Sequence, residues 1–266
     1  MRILTRLLSI VIALVGILVV GNSLVSAQAQ NTGSGIYISP VRTELVVAPG
    51  ETKTVTVTVK NVTSATATYK VIVNDFIAGD NELGQPALIL DDNKYAPSHS
   101  LKRHIAAIPN VTVNPGESKD VKVSISMPKD AAGGGYFGAV RFLAVGGKQG
   151  QNITLSASVG SLILVRVPGD IKESMTLASF DVRKSETSNS ASSFFTSNKN
   201  LYVMARFKNT GNVHEQPFGK IILKKGDKVL QTTEINNTDP KGNVLPDSIR
   251  RFSVKLNKVG MWGKYT

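Results

Sequence analysis

Apolar and polar residues alternate with a period of two along most of the chain beyond residue 36. Residues 54–60 place valines on one face and threonines or a lysine on the other, and residues 120–127, 201–207 and 252–256 repeat the pattern. Strands of antiparallel sheets show this alternation when one face is buried and the other is solvated. No apolar stripe with the period of a helix continues for three turns in this region. The pattern therefore predicts an all-β protein.

Turn signals separate the alternating segments at short intervals. Pro49-Gly50, Pro115-Gly116 and Pro246-Asp247 each precede one of the predicted strands. Proline fixes φ at the first position of a turn, and glycine accepts the positive φ at the next. Short strands at this spacing predict β-sandwiches. The similar entries are consistent with repeated use of one hairpin motif or with an internal duplication.

A boundary between two such sandwiches is predicted near Val167-Pro168-Gly169-Asp170. We expect two tandem antiparallel immunoglobulin-like β-sandwiches, the first over residues 36–168 and the second over residues 169–266. Charge divides unevenly between them. Residues 28–165 contain 12 Lys and Arg against 10 Asp and Glu, a net charge of +2, and residues 166–266 contain 17 against 9, a net charge of +8.

The first 27 residues have the three parts of a secretory signal. Arg2 and Arg6 precede an apolar run over residues 7–25, and small residues follow, which places the predicted cleavage between Ala27 and Gln28. Residues 28–35 then form a linker. The alternative is an uncleaved membrane anchor, because the apolar run is close to the length of a membrane-spanning helix. Both interpretations place the rest of the chain outside the cytoplasm.

Composition excludes several classes of chemistry. The chain has no cysteine, so it has no disulfide, thiolate metal site, thiol nucleophile or lipidated cysteine. It lacks the Gly-x-Ser-x-Gly and His-Glu-x-x-His motifs, and the spacing of His99 and His104 does not suit a metal site. The acidic segment of residues 75–92 is expected to be a solvated loop rather than a calcium site. We therefore predict no catalytic residue, metal or cofactor, and the sequence nominates no ligand-binding residue.

The basic second half raises the question of an anionic partner. Aromatic residues are 6% of the chain, too few for a surface that stacks nucleic-acid bases. We predict no nucleic-acid binding, because the chain is exported and its charges are spread along strands. The positive electrostatic field of the second half is better suited to attract anionic wall polymers or lipid headgroups. A hydrolase of wall glycan would need two carboxylates across a cleft, and no such pair stands out.

Several short motifs follow one another between residues 36 and 167. They are Ile38-Ser39-Pro40-Val41, Pro49-Gly50-Glu51, residues 57–61, residues 115–119 and residues 127–140. In this order they resemble the N-terminal domain of bacterial WxL-interacting cell-surface proteins, a domain described as peptidoglycan-binding. The resemblance implies an exported, non-enzymatic surface protein that binds cell-wall polymer or another surface protein through loops and strand edges.

The second predicted sandwich carries a resemblance of its own. Residues 207–214, 217–221 and 244–252 resemble the immunoglobulin-like domain of related membrane-anchored surface proteins. The resemblance implies a further strand and a membrane helix beyond Thr266, so we expect the sequence to be truncated within the second sandwich. Asn209 and Gly211 are expected to adopt left-handed backbone in a turn between two strands. His214 is expected to be structural.

Periplasmic pilus chaperones offer an alternative resemblance, because they too have two tandem sandwiches behind a signal. Arg42, which follows Pro40-Val41, is similar to their basic anchor for a subunit terminus. Those chaperones carry a segment rich in arginine and acidic residues before an Ile-Pro pair. The corresponding segment here is residues 100–109, where only Ile108-Pro109 matches. An assembly chaperone that acts by strand donation is therefore the second hypothesis.

Overall fold

The structure is a computed structural model, and it describes residues 35–145, 158–187, 200–260 and 263–266. The predicted signal of residues 1–27, its cleavage site at Ala27 and Gln28, and nearly all of the linker lie outside the described residues. The described strands, with one short 3-10 helix at Lys102–His104, are β1 (Ile36–Ser39), β2 (Arg42–Val46), β3 (Thr52–Asn61), β4 (Ala67–Ala78), β5 (Pro86–Leu88), β6 (Val111–Val113), β7 (Ser118–Ser126), β8 (Gly134–Val145), β9 (Ser158–Val167), β10 (Met175–Arg183), β11 (Leu201–Asn209), β12 (Gly219–Lys225), β13 (Lys228–Ile235) and β14 (Ile249–Leu256). In this part of the chain, no helix is long and apolar enough to cross a membrane.

The first sandwich packs a small sheet against a larger one. The small sheet has the order β1-β3-β7, and the large sheet has the order β2-β9-β8-β4-β5, with β6 also paired to β4. Branched side chains from the inner faces of both sheets fill the core, among them Val57, Val123 and Ile163. The alternation predicted at residues 54–60 and 120–127 is confirmed, since their valines are buried between the sheets.

One strand pair departs from the predicted antiparallel arrangement. β2 pairs with β9 in parallel, from Arg42 opposite Leu162 to Val46 opposite Arg166, whereas the other pairs between the described strands are antiparallel. The chain reaches this position by changing sheets. β1 pairs with β3 in the small sheet, and β2 then joins the edge of the large sheet, where Ser161 Oγ donates a hydrogen bond to the Pro40 carbonyl at 2.7 Å.

The second sandwich has a three-stranded sheet, β10-β11-β14, and the hairpin β12-β13. Val203 and Val254 from the sheet pack against Ile221 from the hairpin in its core. Phe180 on β10 pairs with Ala205 on the core side of the sheet, yet 56% of its surface is exposed. In the described part of the chain, the two-stranded hairpin therefore leaves the β10 edge of the core uncovered.

A buried asparagine secures the end of β3 in the first sandwich. Asn61 has no exposed surface, and its Nδ2 donates hydrogen bonds to the carbonyls of Ala65 at 2.7 Å and Val113 at 3.0 Å. Its Oδ1 accepts from the Thr63 N–H at 2.9 Å. One side chain thus joins the exposed turn at residues 63–65 to the buried carbonyl of Val113.

Asn209 does the same at the end of β11 in the second sandwich. Its Nδ2 donates to the carbonyls of Val213 at 2.7 Å and Val244 at 2.9 Å, and its Oδ1 accepts from the Gly211 N–H at 2.8 Å. The prediction of left-handed backbone at Asn209 and Gly211 is wrong, because neither residue has a positive φ. The turn is shaped by the side-chain amide instead.

Asp75 corrects the prediction that residues 75–92 form a solvated acidic loop. Its carboxylate has no exposed surface, and it accepts hydrogen bonds from the N–H groups of Ala96 at 2.9 Å and Lys102 at 2.8 Å. These donors compensate for burying the charge, and they fix the long connection between β5 and β6. Asp91 and Asp92 are exposed as predicted. The described residues contain no group of three or more His, Asp or Glu that is arranged to hold a metal.

The two sandwiches lie within one compact unit, Ser34–Thr266. Asn212 of the second sandwich accepts a backbone hydrogen bond from the Gly135 N–H at 2.7 Å, and its Nδ2 donates to the Asp170 carbonyl at 2.7 Å. Leu245 packs against a buried cluster on the outer face of the large sheet, formed by Phe76, Phe137, Ala139 and Leu164. The predicted boundary near residue 168 falls between β9 and β10, and the division into two domains stays a prediction.

A second contact between the sandwiches is ionic. Glu82, in the connection between β4 and β5, receives two hydrogen bonds from the Arg206 guanidinium, with Nε at 2.7 Å. The Glu82 carbonyl also accepts from the Arg251 N–H at 2.9 Å. The hydrogen bonds from Arg206 hold the pKa of the Glu82 carboxyl below its usual range.

We expect substitution of either buried asparagine to destabilise the fold strongly. Asn61→Ala removes the side-chain donor of the buried Val113 carbonyl, and Asn209→Ala removes that of the buried Val213 carbonyl, so the free energy of unfolding should fall by about 3 kcal/mol in each variant. Urea unfolding followed by circular dichroism measures the change. Asn93→Ala, at an exposed position, is the matched control and should change stability by less than about 0.5 kcal/mol. A loss below about 1 kcal/mol for both buried variants would contradict this role.

Removing the charge of Glu82 should weaken the junction in a pH-dependent way. Because the folded-state pKa is lowered, the contribution of Glu82 is present above its unfolded pKa and is lost as the pH falls through the folded value. Glu82→Gln should therefore lower stability by about 1 kcal/mol at pH 7, after allowance for solvent screening, with a smaller difference at pH 3. Glu234→Gln, in the exposed pair with Lys220, is the control and should have little effect.

Candidate functional site

A groove remains on the part of the large sheet's outer face that the second sandwich leaves open. Its volume is about 460 Å³, a size common for ligand sites. β2, β8, β9 and β5 contribute to its lining, together with the loop before β14. Aliphatic side chains form most of the walls, namely Val41, Pro86, Leu88, Ala139, Leu162 and Pro240. We call it the arginine groove, because Arg42 and Arg141 complete the lining with Ser158 and Gly160.

The wall from the second sandwich is fixed by a third buried asparagine. Asn236 Nδ2 donates hydrogen bonds to the carbonyls of Pro217 at 2.8 Å and Gly242 at 2.9 Å. Its Oδ1 accepts from the Gly242 N–H at 2.6 Å. Pro240 lies inside the loop that these bonds close, so its position over the groove is set before any ligand binds.

Arg141 is the distinctive charged residue of the groove. It lies half-buried on β8, and its Nε is buried without a hydrogen-bond partner among the described residues. It pairs across the sheet with Gly160, where an added Cβ would lie 3.0 Å from Arg141 Cγ. No described carboxylate forms an ion pair with Arg141, and no acid lines the groove. A guanidinium in this setting is suited to bind an anion.

Arg42, the residue predicted as a chaperone-like anchor, is held by contacts within the protein. Its Nε lies 3.1 Å from Glu44 Oε1, and its Nη2 donates a hydrogen bond to the Lys241 carbonyl at 2.7 Å. The side chain therefore joins β2 to the second sandwich, and Glu44 balances its charge. Within the described ranges, Arg141 has no comparable partner.

Glu44, on β2 of the first sandwich, also receives donors from the second sandwich. Asn243 Nδ2 donates to its Oε1 at 2.7 Å, Gln216 Nε2 donates to its Oε2 at 3.2 Å, and His214 Nε2 lies 3.7 Å from the same Oε2. Burial lowers the pKa of His214, and the charge of Glu44 offsets part of that effect. His214 also packs edge-on against Phe137, with ring centroids 5.8 Å apart. These contacts support the predicted structural role of His214.

The other two histidines meet around one aromatic ring. His99 and His104 both contact Tyr136 edge-on, with ring centroids 4.9 Å and 5.6 Å away. Burial lowers the pKa of His104. Their spacing in the sequence gave no indication of this arrangement, which depends on the loop that Asp75 anchors. Both act here as packing partners of Tyr136.

A second polar cavity, of about 450 Å³, lies at the junction and contains Glu82, Arg206 and Arg251. Its charges are largely compensated inside the protein, because Arg206 pairs with Glu82 and Arg183 pairs with Asp181 at 2.6 Å. The internal pairs make this cavity part of the junction. Arg251 Nε is also buried in this cavity without a hydrogen-bond partner among the described residues, but the Glu82 carboxylate interacts with its charge. The arginine groove differs in that no described acid lines it.

Sequence reasoning missed Arg141 and its neighbour Gly160. A signal was present, because Arg141 is the one charged residue of a twelve-residue strand whose other members are apolar or aromatic residues and glycines. A charge placed between buried neighbours is expensive unless a partner or a ligand compensates it. The pairing with Gly160 could not be read from the sequence, since it depends on the register between β8 and β9.

Comparison with known families identifies a region that carries part of this groove. Residues 44–144 match the family model of the WxL Interacting Protein, peptidoglycan binding domain. This match confirms the resemblance predicted for the first sandwich. The matched range includes Pro86, Leu88, Ala139 and Arg141 of the arginine groove.

Solved structures with similar chain traces include fimbrial chaperones. The class 5 fimbriae chaperone CfaA is 13% identical, with a TM-score of 0.42 over 87% of this chain and 97% of that chain. A complex of CsuC and CsuE from Acinetobacter baumannii contains a chain 12% identical, with a TM-score of 0.41 over 85% of this chain and 89% of that chain. The E. coli chaperone DraB is 13% identical, with a TM-score of 0.39 over 82% and 85%. No curated protein matches the chain.

His214 should make the fold sensitive to mild acid. Its folded pKa is lowered by burial, so the unfolded chain binds a proton more readily as the pH falls below about 6.5. Stability should then decrease with falling pH by at most about 1.4 kcal/mol per pH unit for this one group. Unfolding measured between pH 7.5 and pH 5 should show a shallower decrease for His214→Gln, the remainder coming from His104 and other groups. An unchanged slope would contradict the prediction.

Proposed function

We propose that this chain is an exported, non-enzymatic cell-surface protein whose first sandwich binds peptidoglycan at the arginine groove. The match of residues 44–144 to a peptidoglycan binding domain carries the proposal. That range lies wholly within the first sandwich, and it contributes Arg141 and part of the aliphatic wall. Peptidoglycan lies outside the cytoplasmic membrane, which agrees with the signal predicted at residues 1–27.

Charge and rigidity support binding of an anionic wall polymer. Arg141 presents a half-buried guanidinium without an acidic partner among the described residues. The excess of 17 Lys and Arg over 9 Asp and Glu in residues 166–266 attracts anions over a longer range. The wall formed by Pro240 is fixed through Asn236, so little ordering is required on binding.

The sequence predicts further partners, which stay predictions. They are a second surface protein as the ligand and the membrane, reached through a helix beyond Thr266 or through an uncleaved leader. The strand-donating chaperone is also an alternative prediction, although the contacts of Arg42 with Glu44 and Lys241 do not favour an anchoring role for that residue.

Retention on purified peptidoglycan tests the proposal. The wild-type protein should sediment with insoluble peptidoglycan at low salt, and Arg141→Gln should bind about tenfold more weakly because a charge-assisted contact is lost. Lys122→Gln is the matched control, since it removes one positive charge from an exposed position on the small sheet. It should bind like the wild type.

Two results would contradict the proposal. One is failure of the wild-type protein to sediment with peptidoglycan at low salt. The other is an equal loss of binding for Arg141→Gln and Lys122→Gln, which would indicate attraction by net charge alone. Urea midpoints of both variants should match the wild type, so that a change in binding is not a change in folding.

A further inference from the structure

We propose that the arginine groove binds the peptide part of peptidoglycan, through a free carboxylate at the end of a short peptide with small aliphatic side chains. This inference rests on the proposed function and specifies the ligand of the same site. Peptidoglycan offers two kinds of surface, sugar rings and short peptides. The residues of the groove distinguish between them.

The walls of the groove favour a peptide over a glycan. Sugar rings are commonly held against the flat faces of aromatic side chains, and the described lining contains no Phe, Tyr or Trp. Val41, Leu88, Ala139 and Leu162 present branched or methyl groups instead. Such surfaces bury the methyl groups of alanine-like residues, because apolar contact is gained without stranding hydroxyls away from water.

The charge of the groove requires an anion, and its geometry favours a carboxylate. The guanidinium of Arg141 has a planar array of donors that matches the two oxygens of a carboxylate. Among the described residues its buried Nε has no hydrogen-bond partner, which is costly without a ligand. A carboxylate oxygen accepting from Nε would remove that cost. Arg42 contributes less, because its Nε already pairs with Glu44.

Gly160 allows Arg141 to lie along the floor of the groove. An added Cβ at residue 160 would meet Arg141 Cγ at 3.0 Å and the Val140 carbonyl at 3.4 Å, so Gly160→Ala should push the guanidinium out of position. Gly160 therefore acts as a positioning residue. Its effect on binding should appear only where Arg141 is present.

Calorimetry with a defined peptide provides the test. The probe is diacetyl-L-lysyl-D-alanyl-D-alanine with a free carboxylate, and the matched ligand is the same peptide ending in an amide. The wild-type protein should bind the amide at least about tenfold more weakly, since one charge-assisted contact is worth about that factor. Arg141→Gln should bind both peptides alike, Arg141→Lys should fall between, and Lys122→Gln should retain the full preference.

Two further variants examine the site without changing Arg141. Val41 is 62% exposed on the groove wall, so Val41→Asp should fold normally and repel the carboxylate, whereas Val41→Asn should not. Gly160→Ala should reduce the preference for the free carboxylate in the wild-type background and have no effect in the Arg141→Gln background. Urea unfolding of each variant controls for stability.

The outcomes separate this inference from the proposed function. If the protein sediments with peptidoglycan but the free peptide neither binds nor competes, the peptide inference is overturned and the proposed function stands. If soluble glycan without peptide competes instead, the groove binds sugar and the inference is likewise wrong. If the protein does not bind peptidoglycan at all, the proposed function is wrong, and the peptide inference is wrong with it.

Discussion

The outer face of the large sheet in the first sandwich is apolar, and this constraint determines how the rest of the molecule is arranged. Phe76, Phe137, Ala139 and Leu164 lie on this face and would be hydrated in an isolated sandwich. Leu245 covers them from the second sandwich. The cover is incomplete, and the uncovered remainder is the arginine groove. The buried cluster and the open groove are therefore two parts of the same apolar surface.

Polar contacts give that cover a defined position. Apolar packing alone would allow the sandwiches to slide, because it has little directional preference. Glu44 receives Asn243 and Gln216, and Asn212 bonds to backbone on both sides of the junction. Glu82 and Arg206 form a further contact away from the groove. Hydrogen bonds of this kind set the distance between Pro240 and the floor of the groove.

The strands of the fold could be predicted from alternation, because each buried valine is separated from the next by one solvated residue. The parallel β2–β9 pair could not, since alternation is the same in both directions and only the change of sheet near Pro40 decides it. Asp75 was predicted to be solvated from its acidic neighbours. Its burial depends on the N–H groups of Ala96 and Lys102, which come from a distant part of the loop.

The site was less predictable than the fold, because it too depends on contacts between residues that are distant in the sequence. Arg42 stood out because it follows Pro40-Val41, whereas the structure engages it with Glu44 and Lys241. Arg141 has no motif around it, and its significance comes from what faces it in space. The register between β8 and β9 places Gly160 opposite Arg141. It also determines the surroundings of Arg141 Nε, which is buried without a hydrogen-bond partner among the described residues. Alternation decides which face of a strand is buried, but registers that differ by two residues bury the same faces, so the pattern does not select Gly160 as the partner of Arg141.

The parallel pairing of β2 with β9 also bears on mechanical resistance. The chain enters β2 at one end of this pair and leaves β9 at the other. Tension applied between the start of β2 and the end of β9 would therefore pull the two strands past one another. All five residue pairs, from Arg42 and Leu162 to Val46 and Arg166, would share the load in shear rather than open one after another.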